Sequence, residues 1–339
     1  MSFKCQECGL EAKNESGLHR HIKAQHEIEL ADYYYKHYPR KNLLTGEPIK
    51  YKNKKDYFSR DFNTYNQLLR WCHKSDPVKA KEYALKLLKK RVEEKQLKYG
   101  PTHVELILSE LPTIDIYKKL FNSYTEACKE VEVSPMLNRK IPEDFFEPIE
   151  EDLFKIIIDT REQKPLKFKT SHSMRLDFGD YTAADDYYDY TYIERKSEGD
   201  FKSTLSQHYS RFCEELARAR EMDSYVFIVV DSTITKIKKN NIFGDRRANL
   251  QFIFHKMKEV CHKFPHNCQF VFSGNRTNSQ ELIQKILYHG RKLWNCDLQY
   301  YIDKKNGLDK RNTSKKSKSV QKHQSRNSAK TRISGRAGS

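Results

Sequence analysis

YDYTYIERKSEGDF, residues 188–201, begins as a strand and ends in charge. Tyr190, Tyr192 and Ile193 are of types that suit a pleated surface. The run then sets Glu194, Arg195 and Lys196 side by side, with Asp200 four residues after the lysine. Side chains of a strand alternate faces, so Glu194 and Lys196 are predicted on one face and Ile193 and Arg195 on the other. A carboxylate and an ammonium two apart on one face suit metal-assisted phosphodiester hydrolysis. The acid holds a divalent cation, and the lysine stabilises charge or positions the attacking water. The plain alternative is an edge strand whose charges discourage pairing with another chain.

The neighbouring segments weigh against that alternative. FKIIID (154–159) is an apolar run ending in Asp159, and RLDFGDYTAAD (175–185) is predicted to form a hairpin with 188–196, carrying Asp180 behind Gly179. Asp159, Asp180 and Glu194, at the ends of three adjacent strands, can converge on a hard cation such as Mg²⁺ or Mn²⁺. Downstream, Phe201, Leu205, Phe212, Leu216 and Ala219 recur at helical spacing, and YVFIVVD (225–231) is continuously apolar, as in a strand buried on both faces. Helices are predicted over 246–263 and 277–295, around the strand CQFVF (268–272). Strands alternating with helices predict an α/β fold over 153–302, a mixed sheet flanked by helices.

At the other end, CQECGLEAKNESGLHRHIKAQH places Cys5, Cys8, His21 and His26 at the spacing C-x2-C-x12-H-x4-H. Tetrahedral zinc takes two thiolates from a tight knuckle and two imidazoles from one helix face. His19 would leave six residues to His26, so His21 is the predicted ligand. The pattern over residues 1–30 resembles Cys2His2 zinc fingers, with Ala12 where that family usually has an aromatic. The finger either reads about three base pairs or serves as a zinc-stapled docking element.

Composition divides the rest. Residues 31–140 are rich in Lys and Tyr and predicted mainly helical, a basic DNA-binding region; 141–152, with two prolines and a run of acids, reads as a linker. Residues 303–339 are predicted to be a disordered basic tail that supplies +10 of the chain's net +17. Such an excess implies a polyanionic partner, foremost nucleic acid. No apolar stretch of membrane-spanning length occurs in the 339 residues, no secretory signal opens the chain, and the eight cysteines form no disulfide framework. A reducing intracellular compartment is expected; the KKSK of the tail suits a nuclear signal and equally a protein of host or bacterial cytoplasm.

Two further resemblances follow. LPTIDIYKKLFNSYTEACKEVEVSP (111–135) is similar to the short helical repeat attached to many homing endonucleases, with Thr113 before a helix and a turn at Phe121–Tyr124. Asn122 and Glu132 stand where that repeat has glycine. Asp159-Thr-Arg-Glu162, Gly179-Asp180 and Glu194-Arg195-Lys196-Ser-Glu-Gly-Asp200 together resemble the XPF-type, restriction-enzyme-like nuclease domain. Ser206, Arg211 and Phe212 are similar in character to the helix that follows there. The resemblance implies Asp159, Asp180 and Glu194 as metal ligands, Lys196 as catalytic, and Arg195 and Asp200 as supporting residues, paired with each other or with Glu162. It also implies a dimer through the nuclease domain. The tandem helix-hairpin-helix motifs that usually follow such a domain are replaced here by the basic tail.

These readings lead to an expected function: a Mg²⁺-dependent DNA endonuclease, site-targeted in the homing manner. A structure-specific flap or fork enzyme of DNA repair, a non-enzymatic zinc-finger regulator of DNA and an RNA-directed protein are the alternatives.

Overall fold

The computed structural model describes residues 3–41, 46–59, 65, 69, 72–73, 76–150, 154–243 and 248–307. The chain divides into two compact units, Met1–Pro101 with Glu105–Pro135, and Thr102–Val104 with Met136–Ser339.

In the first unit, β1 (Phe3–Lys4) and β2 (Glu11–Ala12) pair antiparallel ahead of α1 (Glu15–His26). Asn14 caps α1 by accepting the Gly17 amide at 2.8 Å. The finger shares its core with α2 (Leu30–His37): Cys5, Leu18, Ile22, Leu30 and Tyr33 form one cluster. The knuckle is clamped from the same helix. The Tyr33 hydroxyl accepts the Gln6 amide at 2.8 Å, and Glu7 pairs with Lys36 at 2.9 Å and His37 at 2.6 Å. From α3 (Lys54–Ser59), Tyr57 stacks on Tyr34 with ring centroids 4.6 Å apart.

Further along, α4 (Pro77–Lys95) starts where Asp76 accepts the Lys79 amide and buries Ala80, Ala84, Leu88 and Val92. The short β3 (Tyr99–Gly100) and α5 (His103–Leu108) follow. The predicted helical pair is present as α6 (Ile114–Phe121) and α7 (Tyr124–Lys129), the latter capped by Ser123, which accepts the Glu126 amide at 3.0 Å. Thr113 holds the cap position of α6 in an extended conformation, with no side-chain cap bond to the helix. β4 (Ser134–Pro135) then pairs parallel with β3. Asn122 and Glu132 adopt φ of +67° and +59°. Both positions where the similar repeat has glycine therefore keep the left-handed backbone that favours it.

The second unit contains β5 (Ile156–Asp159), β6 (Ser171–Met174), β7 (Tyr181–Ala183), β8 (Thr191–Lys196), α8 (Glu198–Thr204), α9 (Tyr209–Glu221), β9 (Tyr225–Val230), α10 (Ile234–Phe243), α11 (Leu250–Lys263), β10 (Cys268–Phe272) and α12 (Arg276–His289). Six strands form a mixed sheet in the order β10-β9-β8-β7-β5-β6, with β7 antiparallel to both neighbours and the other pairings parallel. Strand alternation gives the sheet two apolar faces. Ile156, Ile158, Tyr181, Ile193, Phe227, Val229 and Val271 pack with Ile283, Ile286 and Leu287 of α12. On the opposite face, Phe270 and Phe272 meet Phe201 of α8, and Phe270 meets Phe212 of α9. All six residues of β9 are buried, as their unbroken apolar run predicts.

The structure corrects several details. The hairpin holds, but its first strand is confined to Tyr181–Ala183. β6 and α10 were not expected from the sequence. The predicted linker is packed rather than free: Glu143–Phe146 form a 3-10 turn, and Phe145 is buried in the core of the second unit. Hydrophobic burial of one ring outweighs the loop-like prolines and acids around it. Residues 298–307 are helical, so helix extends past the predicted start of the tail at 303; residues 308–339 lie outside the described part. No helix of the described residues is long and apolar enough to cross a membrane.

Candidate active site and metal cluster

The mixed sheet brings the charged ends of β5, β7 and β8 together. The Asp159 amide donates to the Asp180 carbonyl at 2.8 Å, and the Asp180 amide donates to the Ile193 carbonyl at 2.7 Å. Glu194 and Lys196 share a face of β8 and their side chains are in contact. They open on a cleft of about 290 Å³ lined also by Asp200, Ser203, Thr204, His208, Arg211, Phe212 and Glu215. α8 and α9 form its wall, because Phe201 and Phe212 anchor them to the sheet beside it.

The charges in this cluster are not independent. Burial, then the neighbouring Glu194 carboxylate, push Asp180 up to about 8, against the pull of the Arg195 amide. Burial likewise raises Glu194, while the Lys196 ammonium opposes it. Burial would lower Lys196, but Glu194, Asp180 and Glu215 together hold it raised and charged. Asp180 and Glu194 thus offer hard oxygen donors in a crowded, proton-retaining setting with one ammonium beside them. A divalent cation fits that deficit of positive charge.

Asp159 does not join this pair as expected. Burial favours its protonation, but Arg161 and two backbone amides prevail and hold it at about 2. Arg161 grips both oxygens, Nε to Oδ1 at 2.8 Å and Nη2 to Oδ2 at 2.6 Å, while the Arg161 and Leu176 amides add bonds of 2.6 and 2.9 Å. The predicted three-acid set is therefore not assembled. Among the described residues, the only group of three or more Asp, Glu, His or Cys ligand atoms within 4.8 Å of one another is in the finger.

Arg195 and Asp200 take other partners than one another, while the expected pairing of Arg195 with Glu162 is kept. Arg195 turns to the other face of β8 and closes a bidentate pair with Asp231 at the end of β9, Nε to Oδ1 at 3.3 Å and Nη2 to Oδ2 at 2.6 Å. Glu162 stands 4.0 Å from the same guanidinium. Asp200 instead accepts from the Ser197 hydroxyl at 2.6 Å and donates its amide back to it at 3.2 Å, a reciprocal cap on α8 that reaches the rim of the cleft. Arg211 and Phe212 do line the cleft; Ser206 is not among its lining and donates to the Lys202 carbonyl.

Sequence reasoning missed Glu215 and Asp231. Asp231 closes the quoted run YVFIVVD, and a carboxylate directly after a buried strand was a readable signal; the register sets Val230 opposite Lys196 and Asp231 one residue beyond. Glu215 lies three residues after Phe212 on the same helical face, a weaker signal, since it needs the fold to bring α9 to β8.

In the finger, the four predicted ligands do converge. Cys5 Sγ is 3.5 Å from His26 Nε2, Cys8 Sγ is 3.2 Å from His21 Nε2, and the two Nε2 atoms are 3.2 Å apart. Zn–S of about 2.3 Å and Zn–N of about 2.0–2.1 Å give tetrahedral edges of about 3.3–3.8 Å, close to these separations, so the set can hold zinc. His19 is buried away from it, bonded to the Tyr34 hydroxyl at 2.7 Å. The helix positions that usually read bases are the residue just before the first turn and the third and sixth residues of the helix. Here these are Asn14, whose side chain is spent on the cap, Gly17, which has none, and exposed Arg20.

No protein family matches the sequence, and no curated protein does. Among solved structures, the chain has a weak similarity to XPF from Aeropyrum pernix in complex with DNA, at 18% identity and a TM-score of 0.31, over 40% of this chain and 63% of that one. A second structure of XPF from Aeropyrum pernix matches at the same identity and score over 41% of this chain and 66% of the other. The match thus spans under two thirds of either XPF chain.

Proposed function

We propose that the protein is a metal-dependent nuclease that hydrolyses phosphodiester bonds of DNA. The observation that carries this reading is the Glu194–Lys196 pair on one strand face, opening on a cleft, with Asp180 one strand over in the Gly-Asp…Glu-Arg-Lys order. The net charge of +17 favours a polyanionic substrate.

In this reading Asp180 and Glu194 would hold Mg²⁺ or Mn²⁺. When bound, such an ion supplies Lewis-acid polarisation of the phosphodiester and a more acidic attacking water. Lys196, kept protonated by the surrounding carboxylates, stabilises the charge that builds on the phosphate oxygens. Arg211 on the rim supplies a second cation for the DNA backbone. Arg195 holds the end of β8 against β9, and Asp200 fixes the first turn of α8, so both serve the geometry rather than the reacting atoms. The finger is read as a zinc-stapled docking element, because Arg20 alone of its three reading positions has a side chain available for bases.

The test is digestion of plasmid, flap and forked DNA, with and without Mg²⁺ or Mn²⁺, beside Glu194→Gln and Lys196→Ala. Metal-dependent cutting that falls about a hundredfold or more in each variant is expected. Salt-sensitive binding without any cutting would replace this reading with that of a DNA-binding regulator. The product pattern distinguishes site-targeted from branch-directed cleavage.

A further inference from the structure

The turn that carries Asp180 is held from a distant part of the chain. Gly179 has φ of +71°, and a Cβ there would meet the Ile193 carbonyl oxygen at 2.9 Å. The backbone thus approaches β8 more closely than a side chain allows. The Asp180 amide uses that same carbonyl. The Gly179 amide lies one step further out, beyond the ladder of β7, which begins at Tyr181. Gly179 is buried, and a buried amide needs an acceptor. The acceptor is Glu215 Oε1 of α9, 36 residues on, at 3.2 Å.

Glu215 sits at the edge of the apolar stripe of its helix: it follows buried Phe212 by three residues and is itself half-buried. A carboxylate held at that border, turned toward the sheet, has the Gly179 amide as its partner. The same side chain lines the cleft with Glu194 and Lys196.

We propose that Glu215 is a positioning residue. By fixing the Gly179 amide it sets the direction in which Asp180 is presented to Glu194 and Lys196. The consequence for metal and catalysis rests on the nuclease reading; the geometric claim does not. The role needs an acceptor oxygen rather than a charge, so glutamine serves and alanine does not.

The experiment compares Glu215→Ala and Glu215→Gln in the full chain with zinc bound. Hydrogen exchange of the segment 176–181 is measured first. Glu215→Ala is expected to speed exchange at the Gly179 amide roughly tenfold, the scale of one lost hydrogen bond, while Glu215→Gln stays near wild type. Mn²⁺ titrated by calorimetry is expected to bind about 10- to 100-fold more weakly to the alanine variant, as for other residues that orient ligands. The glutamine variant, which keeps the acceptor and loses only the charge felt by Lys196, is weakened less. Cleavage is expected to lose kcat in the alanine variant with KM for DNA unchanged. Unaltered exchange in Glu215→Ala, or equal impairment of both variants, overturns the proposal. If Glu215→Ala does not fold, Glu215→Leu, which has no acceptor but keeps the packing, takes its place: faster exchange at Gly179 than in Glu215→Gln supports the proposal and equal exchange refutes it. A wild-type protein that neither cuts DNA nor binds Mn²⁺ defeats the nuclease reading, while the exchange comparison still decides the positioning role.

Discussion

Arg195 reaches across to Asp231, 36 residues further on, and by doing so leaves Glu194 and Lys196 alone on the cleft face of the same strand. Three consecutive charged residues thus serve two purposes, set by the alternation of a strand. The side chains of Arg195 and Asp231 are only 9% and 11% exposed. Asp231→Ala leaves a buried guanidinium without its main partner and is expected to cost about 3–5 kcal/mol. Urea unfolding followed by Trp fluorescence measures it, and a cost below about 1 kcal/mol would contradict the account.

The left-handed backbone at Glu132 gives a prediction of opposite sign. An exposed glutamate at φ +59° is strained where glycine is not. Glu132→Gly is expected to stabilise the first unit by about 0.5–1 kcal/mol. A raised melting temperature checks it; a lowered one would mean that the glutamate makes a contact that outweighs the strain.

Zinc is expected at one ion per chain by elemental analysis. The ligand Cys5 belongs to the same cluster as Leu18, Ile22, Leu30 and Tyr33, so metal and core are lost together. Chelation, or Cys5→Ser, is expected to open residues 3–37 to protease, including α2, which carries no ligand. Protection of α2 after chelation would show that its packing stands without the metal.

His289 makes stability depend on pH. Its ring is buried beside Phe145, neither nitrogen has a hydrogen-bond partner, and the nearest acid, Asp144, is 4.0 Å away. Burial lowers its pKa from 6.5, Asp144 opposes this, and Lys292 and Lys285 add to the lowering. The unfolded chain therefore binds the proton more readily than the folded one. The second unit keeps its full stability above about pH 6.5 and loses it as pH falls toward the depressed value, by at most about 1.4 kcal/mol per pH unit. His289→Phe is expected to flatten that slope between pH 7 and 5 in urea unfolding, and an unchanged slope would assign it to other groups.

What could be read from the sequence was local. The finger ligands, the buried β9 and the facing of Glu194 and Lys196 each follow from spacing within one segment. β6 was hidden because Ser171–Met174 is exposed at all four positions and shows no alternation. Phe145 was hidden by the acids and prolines around it. Arg161 stood two residues from Asp159 in plain view, yet spacing alone does not say whether an acid awaits a metal or is already gripped by a guanidinium. Asp231 and Glu215 become partners of Arg195 and Gly179 only once the sheet and α9 are in place.

The clamp on the finger bears on how this module could be transplanted. Gln6 and Glu7, between the two cysteines, are bonded to Tyr33, Lys36 and His37, while buried His19 is bonded to Tyr34 and contacts Lys54. A graft cut at the end of α1 would carry its metal ligands but expose an apolar seam and orphan an ionic clasp. Interchangeable beads on a string are cut between repeats; here the smallest portable piece extends through α3.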